Sequence, residues 1–483
     1  MNKSNAQFIW MVWLISSAIA GIYFISILFQ NGDKTSFMPG PLSNGHHQLT
    51  EKCDACHTDA FGGEKDSGEL LQAACIKCHG DERKKPQDSH PLAKFKDPRN
   101  ADRLEKINAL MCVTCHTEHQ PEITLKDGLT QPLDVCIHCH EDISEERPTH
   151  KGMPFDSCKN SGCHNYHNNR ALYTKFLLKN MAKPDTLDHG VLPEREFANV
   201  LDEIIQYHRD SYPIKPLTTE DADAPIEVKT SSKILQDWAT TAHSRSGVNC
   251  TACHVNLNSN NDKTEPNAKE KTSLWENKPS QSMCAQCHDL EVKRFGKGKH
   301  GMRTAVGLSP VTPGVARLPM NKKAKHETVD CNSCHKGHRF DVKAAAVDAC
   351  LSCHSDKHSL AYKKSKHYKL WQAENNGDSK PNTGVSCATC HMSRINFDVS
   401  EWSSRIMVDH NQSANLSPNS KMIRSTCMHC HGLGFSLDAL ADTALIQRNF
   451  NGKPSVHVKS MDLAKEDMER RRKKRGAGDD ADM

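Results

Sequence analysis

All 22 cysteines of this 483-residue chain fall into pairs, and a histidine follows every pair at once. Ten pairs have the spacing Cys-x-x-Cys-His. In the first half they are Cys53 and Cys56 with His57, Cys75 and Cys78 with His79, Cys112 and Cys115 with His116, and Cys136 and Cys139 with His140. In the second half they are Cys250 and Cys253 with His254, Cys284 and Cys287 with His288, Cys331 and Cys334 with His335, Cys350 and Cys353 with His354, Cys387 and Cys390 with His391, and Cys427 and Cys430 with His431. The remaining pair, Cys158 and Cys163 with His164, holds four residues between its cysteines. Eleven sites therefore account for all 22 thiols, and none is left for a disulfide framework.

The spacing has a chemical reason. Two thiols three residues apart can add across the two vinyl groups of a haem, and the adjacent imidazole then reaches the iron from below. Zinc and iron-sulfur sites also use Cys-x-x-Cys, but they do not require the following histidine, and they need two such pairs per metal. The pattern thus points to eleven covalently bound haem c groups. This resolves a puzzle of composition, because 36% hydrophobic and 6% aromatic residues are few for a chain of this length. Porphyrins would supply the missing apolar mass.

Location follows from the first thirty residues. Phe8 to Phe29 is an uncharged stretch of 22 residues. As a helix it measures about 33 Å, enough to cross a bilayer. Lys3 precedes it, Trp10, Trp13 and Tyr23 suit the interfaces, and no small-x-small cleavage site follows. An uncleaved anchor is expected, with the body in the periplasm of a Gram-negative-type bacterium, where thioether attachment takes place. The fold class expected is mostly α with extensive coil, a haem-filled core, one N-terminal transmembrane helix and almost no sheet.

Five sites crowd into residues 53–164 and six into 250–431. Between them, Arg170 to Asn180 and Glu194 to Arg209 have helical periodicity, and the Pro-rich and acidic run from Ser211 reads as a linker. The expected organisation is an anchor (1–34), a pentahaem domain with a helical end (35–215), a hexahaem domain (216–460) and a charged tail (461–483).

The sixth iron ligand decides whether such irons only carry electrons or also bind substrate. Of 29 histidines, eleven belong to motifs, and His138 and His429 lie between motif cysteines. Sixteen remain for eleven irons. The candidates are His46, His47, His90, His119, His150, His167 and His189 in the first half, and His243, His300, His326, His338, His358, His367 and His410 in the second. His119 and His167 follow their motifs as Cys-His-x-x-His, a spacing that can send the second imidazole to a neighbouring haem. The supply suffices for all-bis-histidine, low-potential haems without methionine ligation.

The segment from Cys53 to His167 resembles the class III small multihaem cytochromes, which are electron carriers with bis-histidine iron. The second half resembles the superfamily of hydroxylamine oxidoreductase, octahaem tetrathionate reductase and cytochrome c-552/4. It does so through Cys350-Leu-Ser-Cys-His-Ser-Asp-Lys-His, Lys364-Ser-Lys-His-Tyr, Gly384-Val-Ser-Cys-Ala-Thr-Cys-His-Met and Cys427-Met-His-Cys-His-Gly-Leu-Gly-Phe. This resemblance implies a distal-ligand role for His367. The chain departs from that superfamily: no tyrosine follows Tyr368 to crosslink a catalytic haem, and no Cys-x-x-Cys-Lys occurs. Counting back from the C-terminus as in the oxidoreductases, the haem at His288 would be the reactive one.

Two functions remain from different classes. One is a membrane-anchored conduit passing electrons between a quinol-linked membrane donor and a periplasmic or outer acceptor. The alternative is an oxidoreductase of a small nitrogen or sulfur compound, with its active haem in the second half. The partners expected are the membrane, redox proteins and a second copy of the chain, but no nucleic acid, since Lys and Arg are dispersed. The formal charge of +4 becomes about −7 once each ferric haem with its propionates adds about −1.

Overall fold

The computed structural model describes residues 3–29, 35, 38–58, 67–84, 97–102, 111–120, 136–153, 167, 172, 174–194, 215–255, 268–398, 401–402, 404–416 and 419–479. Within these, short helical turns joined by coil dominate, as the density of motifs requires. The chain packs as two compact units, one of residues 1–159 with 164–171, the other of residues 160–163 with 172–483.

The first unit begins with helix α1 (Lys3–Phe29). Its stretch Gln7–Ser26 is long and apolar enough to cross a membrane, and none of it is buried against the rest of the chain. Helix α2 (Ser67–Lys84) carries the second motif in its middle. Gln72 on α2 accepts the backbone N–H of Cys112 at 2.8 Å, which ties the second motif to the third. The side-chain core here is slight: Ala74 is the one buried apolar residue among those described in this unit.

The second unit starts with a segment that the sequence placed before the boundary. Helix α3 (Thr174–Asn180) and the strand-like stretch after it lie within this unit, where Thr186 bridges His431 and the Arg424 guanidinium sits 3.7 Å over the Phe176 ring. Gly190 is required by this crossing, because a Cβ there would come within 2.9 Å of Cys430 Sγ. The rest of the expected helix over 194–209 lies outside the described residues.

Caps set the remaining elements. Ser231 accepts the N–H of Ile234 and starts helix α4 (Ser232–Ala239), whose Trp238 is buried and donates from its indole N–H to Val248 O at 3.2 Å. Helix α5 (Asp289–Lys297) follows the His288 motif directly. Asp356 caps helix α6 (Lys357–Ala361), and Ser365 caps helix α7 (Lys366–Asn376), which ends at Gly377 with φ +82°. Among the described residues the only sheet is a hairpin, β1 (Arg394–Asp398) against β2 (Ser404–Val408), with Arg394 opposite Val408. Helices α8 (Leu433–Ala441) and α9 (Thr443–Gln447) hold the best apolar cluster, in which Ile423, Leu433, Leu437 and Leu445 are nearly or fully buried.

The charged C-terminal segment forms helix α10 (Ser460–Asp479), which packs on α3 and buries Ala464 and Asp467. His457 joins this helix to α8: its Nε2 is 2.7 Å from Asp462 and its Nδ1 3.2 Å from Asp438. Asp462 first, then Asp438, raises the imidazole above its ordinary 6.5. A raised pKa stabilises below the unfolded value and loses that contribution as pH climbs through the folded one. Limited proteolysis after residue 459 is therefore expected to quicken modestly between pH 6 and 8, and His457→Asn should remove that dependence. The pair is exposed, so salt should weaken the effect.

Candidate functional site

Each described motif of the first kind forms one helical turn. The histidine N–H returns to the carbonyl of the first cysteine, at 2.8 Å for His57, His116, His288, His354 and His431 and 3.0 Å for His140. Residues three apart share a face in such a turn, so both thiols point one way with the imidazole beside them. Side-chain caps start several of these turns: Asn249, Asp330 and Ser386 each accept a backbone N–H at the beginning of their motif.

The third and fourth motifs show the same turn in the first unit. Cys115 ends the turn Cys112–Cys115, and Cys139 lies in the turn Ile137–His140, where its N–H reaches Cys136 O at 3.3 Å. Both Cys115 and Cys139 are half-buried, as are their partners Cys112 and Cys136. The twenty described cysteines form no disulfides. No group of three His, Cys, Asp or Glu side chains converges as a metal cluster among the described residues.

Motif imidazoles face second imidazoles. In the second unit His254 faces His338 with ring centres 5.7 Å apart, His288 faces His243 at 6.0 Å, and His335 faces His410 at 6.3 Å. His354 faces His300 at 6.1 Å, His391 faces His358 at 6.0 Å, and His431 faces His367 at 6.3 Å. All six motif histidines of this unit are thus matched. In the first unit His79 faces His46 at 6.0 Å and His116 faces His167 at 6.3 Å. Two imidazoles bound through nitrogen to opposite sides of one metal, with bonds of about 2.0 Å, have centres about 6.3 Å apart. The pairs therefore fit one iron each.

Hydrogen bonds orient the rings. A carbonyl can only accept, so an imidazole Nδ1 bonded to one must carry the proton, which leaves Nε2 with the lone pair a metal needs. His254 makes this bond to Glu276 O at 2.7 Å, His410 to Val408 O at 3.0 Å, His431 to Asp185 O at 2.9 Å and His358 to Ile446 O at 2.5 Å. His46 uses a carboxylate instead: its Nδ1 is 2.7 Å from Glu118 Oε1, and Ser43 donates to the same carboxylate from N and Oγ, both at 2.7 Å. Burial pushes Glu118 up, but these bonds outweigh it and the carboxyl titrates below its usual range. Aromatic rings also brace two of these imidazoles, Trp275 on His254 at 4.5 Å and Phe435 on His431 at 4.8 Å.

Burial favours the neutral form, the one that ligates, in several of the facing rings. Burial first, then the opposite imidazole, holds His300 and His367 near 4. The same two causes, with further histidines, hold His335 and His391 near 4.

Neighbouring motifs also meet through their cysteines. Cys253 lies within electrostatic reach of Cys284 and Cys287, the Cys284 and Cys331 side chains meet, and Cys334 is within reach of Cys350 and Cys353. The Cys350 and Cys387 side chains meet in turn, and Cys390 is within reach of Cys427 and Cys430. The six motifs of the second unit thus follow one another in space in the order of the sequence. In the first unit Cys56 is near Cys78, and Cys75 meets Cys112.

Of the fourteen non-motif candidates, the eight in these pairs are brought opposite motif histidines. His47 Nδ1 bonds Asn44 O at 2.9 Å, His119 Nδ1 bonds Gly40 O at 2.8 Å and His150 lies 3.0 Å from Thr149 Oγ1. His189 and His326 are exposed. Cys158, Cys163, His164 and His90 lie outside the described residues. Two supporting residues had no place in the sequence reading. Glu118 sits inside Cys-His-Thr-Glu-His, where its position between two histidines was a usable signal. Asp409, which positions the His410 backbone through Arg294, left no local trace.

A family model described as Cytochrome c3 matches residues 45–141, a stretch that holds the first four motifs. The match supports a multihaem c-type cytochrome. It supports covalently bound haem c and electron transfer as the chemistry of these sites. No curated protein matches the chain.

Proposed function

We propose that the chain is an undecahaem conduit anchored by α1, its body in the periplasm, carrying electrons between a quinol-linked membrane donor and a periplasmic or outer acceptor. Bound haem iron supplies one-electron chemistry. The chain's own residues would fix each haem through two thioethers, set its iron between two imidazoles, and line the sites up so that neighbours lie close. The observation that carries this reading is the second imidazole opposite every motif histidine of the second unit. An iron held between two such imidazoles would have no position left for a substrate. The oxidoreductase reading needed an open iron, and its best candidate, His288, has His243 opposite it.

Electron paramagnetic resonance of the oxidised, fully loaded protein should show low-spin signals alone. A high-spin signal of one haem per chain, or cyanide binding to the oxidised protein, would overturn the conduit reading in favour of the enzyme.

A further inference from the structure

We infer that His119 is the sixth ligand of the haem attached at Cys53 and Cys56, opposite His57, and that it follows a rule the chain uses three times. In each Cys-His-x-x-His, the second histidine serves the haem two motifs earlier. This rests on the bis-histidine reading above and adds to it a pairing that no ring contact displays.

The sequence contains the element three times, ending at His119, His167 and His338. Two copies display their partners. His338 follows the His335 motif and faces His254, passing over His288. His167 follows the His164 motif and faces His116, passing over His140. These two pairs share a geometry that the others lack: their ring planes are 10° and 14° apart, whereas the other six pairs range from 35° to 83°. A common connection from motif to second imidazole gives a common approach to the iron. Counting two motifs back from His116 reaches His57.

Three local observations place His119 for this task. Its backbone has φ 61°, close to the 69° of His338, a left-handed conformation uncommon outside glycine. In both copies the second histidine lies just beyond the motif's turn, which ends at Cys115 in one and at His335 in the other. Its Nδ1 donates to Gly40 O at 2.8 Å, leaving the Nε2 lone pair for a metal. The preceding residue, Glu118, is hydrogen-bonded to Ser43 and His46, and its carboxylate acts on the Cys56 thiol. The segment holding His119 therefore lies beside the first motif. His79 already faces His46 and His116 already faces His167, so neither of these two motif histidines is open to His119.

The test uses the full-length holoprotein. His119→Ala should add a high-spin ferric signal of one haem per chain to the wild-type spectrum. It should also remove one rhombic low-spin component, the type given by near-parallel imidazoles. Adding Cys53→Ser and Cys56→Ser, which deletes the first haem, should abolish that high-spin signal. A signal that survives the deletion, or an all-low-spin His119→Ala protein, overturns the inference. Should the deletion variant fail to accumulate, peroxide treatment of His119→Ala followed by peptide mapping gives the same answer, since the open haem is attacked first. The damaged haem peptide should be the one with Cys53 and Cys56; damage on any other motif overturns the assignment. A high-spin signal already present in the wild type would instead count against the conduit reading, so the two failures are distinguishable.

Discussion

Deprived of its haems by serine at every motif cysteine, the full chain is expected to show no cooperative thermal transition by near-ultraviolet circular dichroism. The reason lies in where side chains are buried. In the first unit, Ala74 is the one buried apolar residue among those described. Ordering a residue's backbone costs about 1–2 kcal/mol, and a fully buried large aliphatic side chain returns about 1.5–3 kcal/mol. The described part of this unit, with almost no such side chains, cannot hold its turns in place unless something else packs against them. The second unit has an apolar cluster at Met422, Ile423, Leu433, Leu437, Leu440 and Leu445, but its motif imidazoles face second imidazoles across the spaces that iron would occupy. Residual helix at α8 and α9 is expected, without fixed packing. A sharp transition in the serine variant would show that the side chains alone specify the fold.

The second large effect is expected at Asp409. This carboxylate is almost fully buried and is held by Arg294 at two points, Nε to Oδ1 at 2.9 Å and a terminal guanidinium nitrogen to Oδ2 at 2.6 Å. The same guanidinium lies 5.6 Å over the Phe397 ring of β1, so one arginine on α5 pins the hairpin. Asp409 directly follows β2 and precedes His410, the imidazole opposite His335. Asp409→Ala leaves the Arg294 charge buried without its partner, at a cost of about 3–5 kcal/mol. It should also release His410 and yield one high-spin iron per chain. Replacing both members, Arg294→Met with Asp409→Leu, should recover most of the lost stability, because no unpaired charge remains. Denaturant unfolding of the three holoproteins checks this. A loss below about 1 kcal/mol in Asp409→Ala would mean that the pair behaves as an exposed one.

Much of the local structure was readable from the residues. Ser365, three positions before Tyr368, caps α7 and sets His367 in its first turn, where the Lys-Ser-Lys-His element led one to expect a ligand. The apolar run of α1 needed only its length. The hairpin was not readable: β1 and β2 are five residues each, and the residues that hold them, Arg294 and Asp409, are 115 positions apart. Nor was the placement of Thr174–Asn180. Its association with the second unit depends on contacts with Arg424 and α10, far along the chain.

By itself, the sequence determined the eleven Cys-Cys-His motifs, which thiols and imidazoles stand in them, and which segment is long and apolar enough to enter a membrane. Those properties are local: a thioether pair and its histidine span five residues, and a transmembrane helix is set by one uninterrupted stretch. Only the tertiary structure decided which non-motif imidazole meets which motif and in what order the described motifs of the second unit stand in space. His335 meets His410 and His254 meets His338 across long loops, and sixteen histidines outside the motifs leave many pairings of equal chemistry. Composition cannot rank those pairings, because each depends on where the intervening chain can close.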